Sequence, residues 1–364
     1  MKIKKISRDD KPILLIGPSP PPFGGARVSF KLFFDFLKNY SNAKIRYFDL
    51  PHRSKSSYDH TGKVNHFKTG LIFLRVLLFL PFCHSIIIFG SRGFCFSYGV
   101  IVCMMSRILR KDCYLRFFGG RPVPHLQKFP NVFRKIIFWG LKSAKKISIA
   151  TKIGALEFPE VLRKKFEIIP GYRPVTPLRF PSQRDRDNTF RFAYVGAISK
   201  EKGIDILLKS FSILQIEAKD KRVFELHLYG GEAGYPLEKL VKADGVYYHG
   251  QIDNIELRRQ LVSYDTFVFP SVYDNEGHPG VLIEALMAGL PIISSDKPVI
   301  REFLYDNFNC LLVKPGDIEG LYKAMDKLIK DSALREKISK AALETSSLFD
   351  AANVLPELAN VFEL

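Results

Sequence analysis

The feature that most limits how this chain can fold is a regular alternation of short apolar runs and helix-length segments. The 364-residue sequence contains twelve such runs, six in each half, and many are apolar throughout, as strands buried on both faces are. Strands that alternate with helices at this spacing form parallel sheets covered by helices. The predicted strands are Pro12–Gly17, Lys44–Leu50, Ser85–Gly90, Cys113–Gly119, Lys146–Thr151, Phe166–Pro170, Phe192–Gly196, Phe224–Gly230, Val246–Gly250, Thr266–Pro270, Pro291–Ser295 and Cys310–Val313.

A linker separates the two sets of strands. Residues 170–188, PGYRPVTPLRFPSQRDRDN, are rich in proline and then in charge, and they show no apolar periodicity. The sequence therefore predicts an α/β fold with two Rossmann-like, doubly wound parallel-sheet domains that face a cleft. We expect an N-terminal domain over residues 1–175, a C-terminal domain over 176–345, and a tail over 346–364 that packs back on the N-terminal domain. Ligands of such folds bind where the loops of both domains meet.

Composition narrows the class of partner. The sequence has 55 lysines and arginines against 37 acidic residues, a formal net charge of +18, which favours a nucleotide, a pyrophosphate, an acidic membrane surface or a nucleic acid. No recognised nucleic-acid motif accompanies this charge, so we predict no nucleic-acid partner. The five cysteines show no CxxC spacing, and four of them lie in apolar surroundings in the first third of the sequence. This is typical of reduced core residues in a cytoplasmic protein.

One apolar segment needs a separate interpretation. Residues 71–89, LIFLRVLLFLPFCHSIIIF, are interrupted by Arg75, Pro81 and His84, so they do not form the uninterrupted stretch of about 20 residues that a spanning helix needs. We predict a helix, a break near Pro81 and a buried strand. The helix is either part of the core or a helix that lies on a membrane surface.

The most informative motif is TFVFPSVYDNEGHPGVLIEALMAGLPIISSD, residues 266–296. The pattern predicts a buried strand, a loop with Glu276, and a helix with Glu284 in its first turns. Between the two carboxylates lie the amides that the start of the helix leaves free, those of Gly280, Val281 and Leu282. Carboxylates accept hydrogen bonds from sugar hydroxyls and a helix N-terminus binds phosphate, so this segment suits a ligand that has both groups. A pair of solvated glutamates is the alternative.

Two further loops follow predicted strands. GPSPPPFGGARV, residues 17–28, brings Gly24 and Gly25 to the start of a helix, where the backbone can approach a ligand closely. It is neither a Walker A motif nor G-x-G-x-x-G, and a simple tight turn is the alternative. YVGAISKEKGID, residues 194–205, ends its strand at Gly196 and places Lys202 where it can reach a phosphate, unless it is a solvated surface lysine.

In this order, the motifs resemble those of the retaining glycosyltransferases of family 4, which have the B-type fold of two Rossmann-like domains. The resemblance is specific over about residues 190–330 and looser over 10–175. It rests on Gly24–Gly25, Gly196, Lys202–Gly203, Phe269–Pro270–Ser271, Glu276–Gly277, Pro279, Glu284–Ala285, Ala288–Gly289–Leu290–Pro291, Asn309, Leu311–Leu312–Val313 and Pro315.

The resemblance implies a role for each matching residue. Glu284 would hold the ribose hydroxyls of a nucleotide diphosphate-sugar, and Glu276 would face the transferred sugar. Glu276 and Lys202 are the implied catalytic residues. The implied donor-binding set is Gly24, Gly25, Gly196, Lys202, Glu276, Gly277, His278, Pro279, Gly280, Val281, Leu282 and Glu284.

We expect no cofactor and no metal site. The acidic pair with Asp-x-Asp spacing, Asp185 and Asp187, lies in the charged linker.

The sequence departs from the family pattern at three positions. Ala197 stands where the family usually has an arginine, and Lys200, Arg27 or Arg173 are candidates to replace that cation. Phe118–Gly119 stands where a His–Gly is frequent, so no catalytic histidine carries over, although His125 lies nearby. Cys310 follows Asn309 where glycine is usual.

The acceptor is expected to bind the N-terminal domain. Arg92, Arg116 and Arg121 suit a pyrophosphate, and the apolar region over residues 71–105 suits a lipid. The resemblance implies a metal-independent, retaining hexosyltransferase that uses a UDP- or GDP-sugar. Its acceptor would be a saccharide, lipid-linked at the inner face of a bacterial membrane, in the synthesis of surface polysaccharide such as lipopolysaccharide.

Other functions remain open for this sequence. One is a nucleotide-sugar epimerase or a phosphorylase of the same fold, and another is a non-catalytic basic protein that binds a membrane or nucleic acid. A third is a partner protein that keeps the fold without activity, which Ala197 makes conceivable.

Overall fold

The computed structural model describes residues 11–20, 24–40, 43–50, 66–127, 129–175, 188–217 and 222–364. Within these ranges, twelve strands form two parallel six-stranded sheets. The strands are β1 (Ile13–Gly17), β2 (Ile45–Asp49), β3 (Ser85–Ser91), β4 (Asp112–Phe118), β5 (Lys146–Ile149), β6 (Phe166–Ile168), β7 (Thr189–Val195), β8 (Val223–Tyr229), β9 (Val246–Tyr248), β10 (Thr266–Phe269), β11 (Ile292–Ser295) and β12 (Leu311–Val313).

Each strand overlaps one of the twelve predicted runs, and the prediction of two doubly wound parallel sheets is confirmed. The first sheet has the order β2-β1-β3-β4-β5-β6, and the second has the order β12-β11-β10-β7-β8-β9. In each sheet the strand order reverses beside the first strand in sequence, which is the position where folds of this class bind ligands.

Helices connect the strands and cover both sheets. They are α1 (Gly25–Tyr40), α2 (His66–Phe79), α3 (Arg92–Phe94), α4 (Val100–Ile108), α5 (Val123–Leu126), α6 (Asn131–Ser143), α7 (Lys152–Leu156), α8 (Glu160–Arg163), α9 (Ile204–Glu217), α10 (Glu238–Val241), α11 (Asn254–Leu261), α12 (Gly280–Met287), α13 (Ile318–Lys330), α14 (Ser332–Ser346) and α15 (Ala351–Val361).

The N-terminal sheet is buried on both faces, which explains why its strands are apolar throughout. Successive strand residues point to opposite faces, and in β3 Ile86 and Ile88 face the layer of α2, α4 and α6. Ile87 and Phe89 face the opposite layer, which α1 and α15 form. The C-terminal sheet is covered in the same way, by α11, α12 and α14 on one face and by α9 and α13 on the other.

The last helix returns to the first sheet. Phe362, which follows α15, packs against the rings of Phe33, Phe89 and Tyr114, with centroid distances of 5.6, 6.0 and 5.6 Å. The linker pairs with the chain just before this helix, because the amide of Arg173 donates to the Phe349 carbonyl at 3.0 Å. Two segments therefore connect the sheets side by side.

The segment around Pro81 folds as predicted, with α2 ending at Phe79, a short 3-10 turn over Leu80–Phe82, and β3 beginning at Ser85. No helix in the described ranges is long and apolar enough to cross a membrane. All five cysteines are unpaired and buried, as predicted for core residues.

Candidate functional site

The loops that end β4 and β10 touch across the cleft between the two sheets. A β-carbon placed on Gly120 would lie 1.6 Å from the Glu276 carbonyl oxygen, and one on Gly277 would lie 3.1 Å from the Gly119 carbonyl carbon. Across the same junction, the amide of Arg121 donates to Asn275 Oδ1 at 3.3 Å. Glycine is therefore required at position 120, because the backbones approach too closely for any side chain.

Glu276 is the first carboxylate of the cleft, and it lies in the loop after β10. Its side chain is buried, and Oε1 accepts hydrogen bonds from Lys202 Nζ at 2.5 Å and from Ser271 Oγ at 2.6 Å. Lys202 comes from the loop after β7, and its Nζ lies 4.8 Å from the centre of the Tyr273 ring. The structure thus brings together the two residues expected to be catalytic, although they are 74 positions apart.

Lys297 is a second cation near Glu276, and the sequence analysis did not identify it. Its Nζ donates to the Tyr273 carbonyl at 2.5 Å. Burial lowers the pKa of Lys297, while the charges of Glu276 and Asp274 act in the opposite direction. The signal in the sequence was its place two residues after the end of β11, at a strand end that faces the cleft.

Glu284 is the second carboxylate, and it is almost fully removed from solvent at 1% exposure. Its Oε1 accepts from Arg173 Nε at 2.8 Å and from Asn254 Nδ2 at 2.7 Å. Its Oε2 is buried and accepts no hydrogen bond from the described residues. Half of this carboxylate is therefore unsatisfied, and it can accept a hydrogen bond from a ligand hydroxyl.

Arg173 brings its guanidinium from the linker to the point where two helices begin. Its Nη2 would lie 3.6 Å from a β-carbon on Gly25, the first residue of α1, and 1.7 Å from one on Gly280, the first residue of α12. Its Nη1 donates to Ser29 Oγ at 3.0 Å. Helix N-termini carry partial positive charge, so two of them and a guanidinium converge here around the single negative charge of Glu284. The positive electrostatic potential around Arg173 and the two helix starts therefore favours the binding of an anion.

The start of α12 supplies fewer free amides than expected. The amides of Gly280 and Val281 donate to no atom of the described residues, but that of Leu282 donates to the Pro279 carbonyl at 3.0 Å. The expectation of a free Leu282 amide was therefore wrong, because a tight first turn uses it within the helix. Two amides remain for a phosphate.

His278 lies between the two domains rather than in open solvent. Its Nδ1 accepts from the Gly171 amide at 3.4 Å, its Nε2 lies 3.9 Å from Glu302 Oε2, and its ring packs on Phe303 at 4.8 Å. Glu302 also accepts from the amides of Lys152 and Ile153, both at 2.8 Å, at the start of α7. Burial raises the pKa of Glu302, but the His278 ring and the two amides outweigh it, and the pKa is lowered.

Three expected donor residues remain, Gly24, Gly196 and Pro279. Among the described residues, no heavy atom lies within 4 Å of a β-carbon placed on Gly24. Gly196 is covered by Tyr194, whose hydroxyl would lie 2.8 Å from a β-carbon there and donates to the Ala197 carbonyl at 2.8 Å. Pro279 directly precedes α12.

The three candidates to replace the arginine missing at Ala197 differ in position. Lys200 is exposed, and Arg27 Nη1 donates to the Ser19 carbonyl at 2.8 Å. Arg173 is the candidate whose guanidinium lies beside both Gly25 and Gly280. The side chain of His125 lies outside the described residues, as do Asp185 and Asp187. The described residues contain no group of three side chains arranged to hold a metal ion.

The acceptor residues expected from the sequence are not equivalent. Arg116 is 3% exposed, and its guanidinium donates to Ser148 Oγ and to the carbonyls of Ile169 and Pro170. Arg116 therefore cannot contact an acceptor and is a structural residue, which corrects the expectation; burial lowers its pKa to about 10. Arg121 is partly exposed and pairs with Glu157, and Arg92 begins α3 at the end of β3.

Two doubly wound domains that face each other across a cleft define the B-type glycosyltransferase fold. The structure of HepE from Anabaena in complex with UDP and glucose superposes with a TM-score of 0.72 at 15% identity, over 97% of this chain and 99% of that one. A likeness at this identity establishes the fold.

The sequence of the second half matches a family model. Residues 177–345 match the model described as glycosyl transferases group 1.

Curated relatives match the chain over part of their length. O-antigen chain mannosyltransferase B of Escherichia coli is 25% identical over 47% of this chain. The putative teichuronic acid biosynthesis glycosyltransferase TuaC of Bacillus subtilis is 30% identical over 43% of it. These matches span 45% and 38% of the relatives' own lengths.

Proposed function

We propose that this protein is a retaining glycosyltransferase that moves a hexose from a nucleotide diphosphate-sugar to a saccharide acceptor. The observation that carries the proposal is the presence of two charge clusters in one cleft, one buried and the other partly exposed. One cluster is Arg173 with Glu284 at the starts of α1 and α12, and the other is Lys202 with Glu276. A ligand with adjacent hydroxyl, diphosphate and sugar groups matches both.

The nucleotide end of the donor would occupy the first cluster. A ribose hydroxyl would donate to Glu284 Oε2, the carboxylate oxygen that has no partner among the described residues. The diphosphate would accept from the free amides of Gly280 and Val281 and from Arg173. Arg173 thereby supplies the positive charge that the family usually takes from the residue after Gly196.

The sugar would face Glu276. In the reaction the bond between the anomeric carbon and the donor's β-phosphate oxygen breaks, positive charge develops on the sugar ring, and negative charge develops on the leaving diphosphate. Lys202, which pairs with Glu276, and Lys297, whose charge interacts with that of Glu276, would stabilise the leaving anion. Because these two cations can balance the charge of the leaving diphosphate, we expect the reaction to need no metal ion. The acceptor hydroxyl would attack on the face from which the diphosphate leaves and pass its proton to the departing phosphate, so the anomeric configuration is retained.

The comparisons support a finer assignment of donor and product. The Anabaena neighbour was crystallised with UDP and glucose, which favours a uridine diphosphate donor over a guanosine one. The Escherichia coli and Bacillus subtilis relatives are named for an O antigen and for teichuronic acid. We therefore propose a role in bacterial surface polysaccharide synthesis, with a lipid-linked saccharide acceptor reached from the cytoplasmic side of the membrane.

A thermal-shift panel of nucleotide-sugars tests the donor assignment. A bound donor raises the melting temperature through mass action, by an amount that grows with ligand concentration. We expect a UDP-sugar to give the largest shift, and Glu284→Gln to reduce it while the exposed control Glu217→Gln leaves it unchanged. Equal shifts for both variants would contradict the assignment.

Product analysis tests the reaction. With donor and a saccharide acceptor, NMR of the product should show the anomeric configuration of the donor. Incubation of the donor alone should give no isomer, because isomerisation without acceptor is the result that an epimerase would produce. An inverted product, or an isomer without acceptor, would overturn the proposed mechanism.

A further inference from the structure

The outer surface of the helix layer α2, α4 and α6 carries large apolar side chains that nothing in the described structure covers. On α2 and α6 the exposed residues recur at a spacing of three or four, and on α4 two of them lie seven positions apart, which is two helical turns. They therefore form a stripe along one side of each helix. They are Leu71, Leu74 and Leu78 on α2, Ile101 and Ile108 on α4, and Val132, Phe133, Ile136 and Trp139 on α6. We name this surface the apolar face.

The three stripes belong to one surface. The crossovers from β2 to β3, from β3 to β4 and from β4 to β5 all run in the same direction across the sheet. Right-handed crossovers in one direction place their helices on the same side, and α2, α4 and α6 share one hydrophobic core. The outward sides of these neighbouring helices are therefore side by side.

The charge around the apolar face is strongly one-sided. Between Asp59 and Glu157 the sequence has sixteen lysines and arginines and one acidic residue, Asp112. Within the same helices and the turn after α4, five basic side chains are exposed, and none of them pairs with a carboxylate of the described residues: Arg75, Arg107, Arg110, Lys135 and Lys142. Most of the formal net charge of +18 lies in this part of the chain.

We propose that the apolar face docks on the surface of an anionic lipid bilayer, with the stripes in the interface and the basic side chains on the headgroups. Apolar stripes rimmed by lysine and arginine have the composition of surfaces that lie in a membrane interface. A second copy of the chain fits poorly, because two such positive faces repel each other. A nucleic acid would leave the apolar stripes exposed to water.

The position of the apolar face relative to the cleft is also compatible with a lipid-linked acceptor. Helices α4 and α6 begin where β3 and β4 end, at the edge of the sheet that faces the cleft. Docking would hold the mouth of the cleft beside the bilayer, where a lipid-linked acceptor is anchored. In this respect the inference rests on the proposed function and adds the surface by which the protein would reach that acceptor.

Trp139 makes the proposal directly measurable. It is the single tryptophan of the sequence and lies 60% exposed on α6. We expect its emission to shift to shorter wavelength on addition of vesicles of phosphatidylcholine with about one-third phosphatidylglycerol, and brominated lipid in those vesicles to quench it. Vesicles of phosphatidylcholine alone should give a much smaller shift, and added salt should reverse binding.

Variants locate the surface. Arg107→Glu with Lys135→Glu should lower the vesicle partition coefficient at least about tenfold in flotation, since each basic residue near an anionic surface contributes to binding. Ile136→Glu should lower it as well. The matched controls on the other domain, Lys209→Glu with Lys242→Glu and Ile216→Glu, should bind vesicles like the unchanged protein.

Binding is measured without nucleotide-sugar, so a failure of donor binding leaves the vesicle result standing. The face variants should keep the thermal shift given by the donor. An unshifted Trp139 emission on anionic vesicles would overturn the proposal. Equal losses of vesicle binding in the face variants and the control variants would also overturn it. Dimers that form with rising protein concentration and that the face variants abolish would do the same.

Discussion

Arg173 and Glu284 form an ion pair whose side chains are 3% and 1% exposed. A buried pair is costly unless its remaining polar atoms are satisfied, yet Glu284 Oε2 has no partner among the described residues. A buried polar atom left in this state is more consistent with a binding site than with a purely structural contact. We infer that the pair is arranged for a ligand that completes it.

Removal of one partner of this pair should destabilise the protein. Arg173→Ala leaves a buried carboxylate without its counter-charge, and we expect a loss of about 3–5 kcal/mol in the free energy of unfolding. In Arg173→Ala with Glu284→Gln the loss should be smaller than the sum of the two single variants. Urea unfolding of the four proteins in this cycle measures the coupling, and strictly additive losses would contradict it.

Lys202 should act on the rate more than on stability. It is partly exposed and pairs with Glu276 at 2.5 Å, and we propose that it stabilises the leaving diphosphate. Lys202→Ala should lower kcat/KM by about 10²–10³-fold, the usual effect of losing one preorganised donor. Steady-state kinetics beside the exposed control Lys209→Ala would check this, and similar values for both variants would remove Lys202 from the catalytic set.

Among the secondary-structure elements, the N-termini of three helices lie at the junction between the domains. Helices α1 and α12 begin beside the guanidinium of Arg173, and α7 begins at the carboxylate of Glu302, which belongs to the other domain. Free amides at a helix start need acceptors, and a neighbouring domain can provide them only when it is close. The short α7 thus helps to fix the distance between the two sheets.

Capping of α7 by Glu302 predicts a pH-dependent contribution to stability. The pKa of Glu302 is lowered from its usual 4.5, because His278 and two amides outweigh the effect of burial. A lowered carboxylate pKa stabilises the fold above 4.5, and this stabilisation is lost as the pH falls through the lowered value. Glu302→Ala should cost about 1 kcal/mol at neutral pH.

Denaturant unfolding as a function of pH measures this contribution. The difference between the unchanged protein and Glu302→Ala should be constant near neutrality and should disappear in acid below the lowered pKa. The exposed control Glu336→Ala should show little difference at any pH. A Glu302→Ala difference that grew on acidification would have the wrong sign for a cap.

For the whole molecule, the contact between Gly120 and Glu276 determines how closely the domains approach. Because a β-carbon at Gly120 would lie 1.6 Å from a backbone oxygen, Gly120→Ala should force the cleft open while each sheet keeps its fold. We expect a larger radius of gyration in small-angle X-ray scattering and a loss of transferase activity. Gly70→Ala is the control, because the added carbon there meets no heavy atom of the described residues within 4 Å. Unchanged dimensions for Gly120→Ala would show that the domains do not need this contact.

Local pattern was sufficient for the architecture. All twelve strands were predicted from apolar runs, because a strand that is buried on both faces of a sheet has apolar residues at successive positions. Glu276, Glu284 and Lys202 were identified because each follows a strand at a recognisable loop or helix start, and the structure brings the loops of Glu276 and Lys202 together. Their roles remain proposals that the variants above test.

Only the tertiary structure distinguished the arginines. Arg116 and Arg173 were both candidates for contact with a phosphate group. In the structure the guanidinium of Arg116 donates to carbonyls 53 and 54 positions away, whereas that of Arg173 lies beside the first residues of α1 and α12. Lys297 and the outward stripes of α2, α4 and α6 were likewise visible only after packing. Periodicity and loop motifs are short-range properties of a chain, whereas the partner of a buried charge and the contiguity of an exposed surface depend on segments that meet only in the folded molecule.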